Sequence, residues 1–117
     1  MLDKLAAIET RFEELNQVLA DPEVAKDHAK VKRYAQERAK LEEIVALSRE
    51  YRQLLGNLED TRTLLDDYEL REIAEGEISE LETRQTELEH HLWRLLIPED
   101  QMDERSVIVE IRAGAGG

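Results

Sequence analysis

The sequence contains no cysteine, which leaves it without a disulfide framework or a thiolate metal site. Aromatic residues are almost as scarce, with one Phe, one Trp and three Tyr in 117 residues. Any core must therefore be assembled from Leu, Ile, Val and Ala, which suits narrow helix–helix seams better than a thick globular interior. Basic residues are in deficit: 16 Lys and Arg stand against 28 Asp and Glu, for a formal net charge of −12. Such a surface repels phosphate backbones, so the segment as a whole is not expected to bind nucleic acid directly. In a setting rich in RNA its natural partner is a basic protein. No window approaches eighteen uninterrupted apolar residues, so no membrane span is expected. Met1-Leu-Asp-Lys-Leu lacks the basic stretch and apolar run of a signal peptide. The expected location is the cytoplasm.

What is present is charge and leucine in helical register. Charged residues make up 38% of the chain and are mixed in sign along it, unlike those of a disordered polyanion. Leu5, Ile8, Phe12, Leu15 and Leu19 step by three and four, which predicts a first helix over about 2–19. Pro22 ends it, and Asp21 can cap a short new turn with Pro22 at its first position. A second helix is predicted over about 27–65. Its seam runs through Leu41, Ile44, Ser48, Tyr51, Leu55, Leu58, Arg62 and Leu65, widened by Val45, Leu47, Leu54 and Leu64 toward a second partner helix. At about 1.5 Å per residue it would be roughly 58 Å long, too long for the interior of a compact domain of this size. Gly56 favours a bend or fray within it.

Asp66 and Glu69 have capping-box spacing and predict a third helix over about 67–96. Its inner face holds Leu70, Ala74, Leu81, Leu88, Leu92 and Leu95, with Ile73 and Ile78 beside them and Gly76 weakening its first half. The short link makes the second and third helices an antiparallel hairpin, with the first lying along it. The fold class expected is mainly α: a long helical hairpin or three-helix coiled-coil-like bundle over 1–97, a linker over 98–105 opened by Pro98, and one short strand. In that strand Val107, Val109 and Ile111 share a face opposite Ile108, Glu110 and Arg112. A lone strand has no partner for its backbone groups, so 106–117 is expected to be the truncated start of a second domain.

Candidate chemistry is sparse. Ala113-Gly-Ala-Gly-Gly117 follows a strand as a phosphate-binding loop does, but it lacks the later Gly-Lys-Ser/Thr and a following helix. A conjugated Gly-Gly tail would need a compact mixed sheet that three helices do not supply. His90 and His91 beside Trp93 suggest a metal site, yet adjacent histidines point about 100° apart on a helix, and only Glu87 is spaced four residues from His91. Trp93 is read as packing at the hairpin's end, with a partner anchor as the alternative. The pairs Glu13-Glu14 and Glu42-Glu43 have no cleft to make them a glycosidase dyad. Lys26, Lys30, Lys32, Arg33, Arg38 and Lys40 form a local basic stretch. It is read as pairing along the helix, as Arg33–Glu37 and Arg38–Glu42, with contact to RNA as the alternative. No catalytic residue, cofactor site or metal ligand is assigned.

Two segments resemble the class I peptide chain release factors of bacteria: Val109-Glu-Ile-Arg-Ala-Gly-Ala-Gly-Gly117, and Met1-Leu-Asp-Lys-Leu followed by Asp21-Pro-Glu-Val24. Arg49-Glu-Tyr-Arg52, Leu64-Leu-Asp-Asp67, and Pro98 leading to Asp103-Glu104 fall where the family has similar residues. Ala115 stands where some members have Thr, and Tyr68 where a Pro often starts the helix. The resemblance implies an N-terminal domain acting in translation termination, docked on the ribosome near the stalk base of the large subunit, its GTPase-associated centre. The family's Gly-Gly-Gln catalytic loop and stop-codon tripeptide are absent, and Gly116-Gly117 is a different glycine pair. The competing reading is a structural coiled coil that self-associates, its seams pairing between copies to give a homo-oligomer.

Overall fold

The computed structural model describes residues 1–97. Four α-helices follow one another: α1 (Leu2–Ala20), α2 (Pro22–Ala25), α3 (His28–Thr63) and α4 (Arg71–Leu96), with a 3₁₀ turn over Leu64–Asp66. The expected linker and the strand over 107–111 lie outside the described residues. Among the described residues no strand occurs, and no helix is long and apolar enough to cross a membrane.

The sequence punctuation explains the first two boundaries. Asp21 accepts a hydrogen bond from the Glu23 amide at 2.9 Å, with Pro22 opening α2. Asp27 accepts from the Ala29 and Lys30 amides at 3.1 and 3.2 Å and starts α3. Both carboxylates satisfy amides that have no partner inside the helix.

The third boundary corrects the expectation. Asp66 does not cap α4: α3 stops at Thr63, whose hydroxyl donates to the Asp60 carbonyl at 2.6 Å, and α4 begins only at Arg71. Asp67, one residue later, accepts from the Glu69 amide at 2.9 Å inside the turn, and Leu70 precedes α4 without a side-chain cap. The reversal occupies 64–70 because the 3₁₀ turn takes the residues that a two-residue link would have left helical.

α3 is the central helix, 36 residues and about 54 Å long. α1 lies along one side of it and α4 along another, both antiparallel to it. Arg52 meets Glu9 and Arg49 meets Glu13, while Glu50 meets Arg84 and Glu43 meets His91. The backbones of α1 and α4 do not approach one another. They meet through side chains, in a cluster of Leu5, Ile44, Tyr51, Leu54, Leu58, Leu88 and Leu92. Phe12, Leu15 and Val45 continue the α1–α3 seam, and Thr61 and Ala74 are buried toward the hairpin's far end. These seams close within one chain.

Some register positions differ from expectation. Thr61 is buried, whereas Arg62 turns outward to Glu82 at 3.6 Å. Leu70 and Leu95 are half-exposed because the apolar contact thins at both ends of α4, and Ile73 is 63% exposed.

α3 is continuous through Gly56, so the expected fray is absent. A Cβ built on Gly56 or Gly76 meets nothing within 4 Å, and neither glycine has positive φ. Gly56→Ala and Gly76→Ala are each expected to stabilise the domain by roughly 0.5–1 kcal/mol, since each removes only unfolded-state freedom. Urea denaturation reads the effect; a loss of stability at either site would show that the helix there does not persist in solution.

Candidate docking surface

Four large apolar side chains stand in solvent at the closed end of the hairpin: Leu64, Tyr68, Leu70 and Ile73. Tyr68 is 87% exposed, so nothing among the described residues covers its ring. The turn presenting them is well tied. The Asp67 amide donates to the Leu64 carbonyl and the Leu70 amide to the Asp67 carbonyl, both at 3.1 Å. Arg71 reaches back with its Nε to the Leu65 carbonyl at 3.0 Å. The apolar tip is thus held in place while its side chains are left unpartnered.

Around it the charge is nearly all negative. Between Glu59 and Glu82 there are ten carboxylates (Glu59, Asp60, Asp66, Asp67, Glu69, Glu72, Glu75, Glu77, Glu80 and Glu82) against only Arg62 and Arg71. Tyr68, Glu69, Arg71, Glu72 and Glu75 line a shallow hollow beside the turn. An exposed apolar patch with a charged rim has the composition of a docking surface, and the sign of its rim complements positive charge.

The side chains singled out in the sequence are used differently. His91 Nε2 faces Glu43 across the hairpin at 3.3 Å, while Glu87 pairs with Arg84 at 3.2 Å, so the two do not converge. His90 lies by Trp93, Glu89, Arg94 and Ile97 at the open end of the hairpin. Trp93 remains 44% exposed with Lys4 Nζ 5.7 Å from its ring centre. Glu13 and Glu14 diverge, one to Arg49 at 3.4 Å and the other to Arg11 at 3.3 Å. Among the described residues no group of three or more His, Asp or Glu side chains could hold a metal ion.

The pairing expected along the basic stretch is replaced by pairing between helices. Glu37 takes Arg11 of α1 in a two-pronged contact at 2.6 and 2.8 Å. That hydrogen-bonded pair holds the Glu37 carboxyl below its ordinary range and raises the already high Arg11 value. Arg38 bonds Asn16 and lies 4.6 Å over the Phe12 ring, clamping α1 onto α3. Sequence spacing favours partners four residues away. It carries no signal for a partner on another helix.

Among the described residues two buried polar atoms lack a hydrogen bond: Ser48 Oγ, in a residue 1% exposed, and Glu9 Oε2. Arg52 lies 2.7 Å from that Glu9 oxygen, an ion contact whose alignment falls short of a hydrogen bond. Tyr51 is better satisfied, donating its hydroxyl to Glu89 at 2.7 Å. Burial, then the neighbouring Glu89 carboxylate, pushes the Tyr51 phenol up from its ordinary value. A raised native value means that the folded state holds this proton more tightly than the unfolded chain. The associated stability is present below about pH 10 and is lost as pH rises through the native value. In Tyr51→Phe that alkaline component should vanish from a urea-stability profile over pH 8–11. An unchanged alkaline slope would count against the buried phenol.

The chain belongs to the PCRF domain family, whose model matches residues 8–117. Within that class its similarity is to the N-terminal region of bacterial peptide chain release factor 1. It is 48% identical over 117 residues to peptide chain release factor 1 of Thermus thermophilus, covering 100% of this chain and 33% of the relative. It is 44% identical over 120 residues to that of a Geobacillus species, and 42% over 120 residues to that of Bacillus cytotoxicus, each covering 100% of this chain and 34% of the relative. The chain therefore spans about a third of the length of the curated relatives it matches. No solved structure gave a significant match.

Proposed function

We propose that this chain is the helical N-terminal domain of a cytoplasmic translation termination factor and that it docks the factor on the ribosome. The observation that carries the reading is the hairpin tip, where Tyr68 and Ile73 stand exposed inside a ring of carboxylates on a chain of this family. The partner it fits is a basic protein at the base of the large-subunit stalk. In this reading the segment beyond residue 97 leads into the next domain of the parent factor. The peptidyl-tRNA hydrolysis of that parent belongs to regions outside this chain, and the domain positions them.

The test is cosedimentation of the 117-residue chain with large ribosomal subunits, either intact or washed free of stalk-base proteins. Binding to intact subunits that weakens with salt and falls sharply on washing is the expected result. Equal binding to washed subunits would overturn the assignment of a protein partner.

A further inference from the structure

The end of α3 opposite the hairpin tip carries the reverse charge. Between Lys26 and Lys40 stand Lys26, Lys30, Lys32, Arg33, Arg38 and Lys40, against only Asp27 and Glu37. The fold then decides which of these charges remain available. The acidic groups from Asp21 to Glu37 are all engaged: Asp21 and Asp27 accept backbone amides, Glu23 holds Lys26 at 3.2 Å, and Glu37 holds Arg11. Arg38 is spent on Asn16 and Phe12. Arg33 lies near Glu37 without pairing with it, stacked instead against its neighbour Tyr34 at 5.0 Å. Among the described residues Lys30, Lys32, Arg33 and Lys40 have no carboxylate partner, and all four are exposed. At about 100° per residue Lys30, Arg33 and Lys40 fall within an arc of about 80°, one face of the helix, which also holds the Arg11-bound Glu37, while Lys32 lies off it.

We propose that this face is a contact for an RNA phosphate backbone. The net charge of −12 argues against such a contact only if the chain acts as a single charge. Arg33 and the hairpin tip at Leu64 are separated by about 46 Å along the helix, whereas charges are screened within about 8 Å at physiological ionic strength. The basic end is therefore felt locally, and neighbouring cations on one helix face suit successive phosphates. The inference rests on the ribosome-docking reading and adds a second, chemically opposite contact: protein at the acidic tip, RNA at the basic end.

Photocrosslinking on large ribosomal subunits separates the two. p-Benzoylphenylalanine is placed in the 117-residue chain at Gln36, beside the basic face, or at Ile73 on the tip. Nuclease-sensitive adducts from position 36 support the inference. In Lys30→Gln/Arg33→Gln/Lys40→Gln their yield should fall on the order of tenfold, while adducts from position 73 keep their protein character. Protein adducts alone from position 36, with position 73 still crosslinking to protein, overturn the RNA contact and leave tip docking standing. RNA adducts from 36 without any from 73 keep the RNA contact and remove tip docking. No adduct from either position defeats both.

Discussion

Leu5→Ala is expected to cost about 3 kcal/mol of folding free energy, more than its single side chain on a 19-residue helix would suggest. Leu5 is 0% exposed and sits in the cluster with Ile44 and Tyr51 of α3 and Leu88 and Leu92 of α4. The backbones of α1 and α4 stay apart, so this side chain is the principal bridge between them. Truncation leaves a cavity walled by three helices that cannot all collapse onto it. For a domain of this size that is a fall of more than about 10 °C in Tm. Leu2→Ala, at a site 46% exposed one turn earlier, should cost well under half as much. A double-mutant cycle of Leu5→Ala with Leu92→Ala should show a coupling of about 0.5–3 kcal/mol, as expected of side chains sharing one cavity. Additive behaviour, or a Leu5→Ala stability close to that of the parent, would mean that α1 is not locked to the hairpin.

The largest functional effect is expected at the tip. Tyr68→Ala/Ile73→Ala should leave urea stability within about 0.5 kcal/mol of the parent, since both side chains are mostly in solvent. In the same variant, affinity for large ribosomal subunits should fall on the order of 10–100-fold. A protruding Tyr is the kind of residue that dominates an interface once buried there, and the carboxylate rim contributes more to encounter rate and salt dependence than to residence. The measurement is a binding curve by cosedimentation, with the folded state checked by urea titration. Unchanged binding with unchanged stability would remove the tip from the interface.

How much of this was readable depends on whether the physics involved is local. Asp21-Pro22 and Asp27 work through amides two or three residues away, so their caps could be read directly from the sequence. The leucine periodicity likewise gave the helices and the hairpin. Capping-box spacing at Asp66 and Glu69 was misleading because the competing 3₁₀ turn has no comparable sequence mark. The buried stripe of α3 was shifted at Thr61 and Arg62, where a helix touching two partners buries a wider arc than one seam describes. The interhelical clamps Arg11–Glu37 and Arg38–Asn16 were hidden altogether, being separated by 26 and 22 residues. The hairpin tip was only half legible: its acidity can be counted, but the exposure of Tyr68 and Ile73 follows from where the turn ends.

The continuity of α3 has a mechanical consequence. One uninterrupted helix joins the acidic tip to the basic end, so the domain behaves as a lever whose two ends move together. A tilt of about 10° about one end displaces the other by about 9 Å over a length of about 54 Å. That is close to the width of a helix, enough to miss a side-chain pocket. Two contacts at opposite ends would fix that angle where one would leave it free, and a hinge in the middle of α3 would lose the orientation while keeping both contacts.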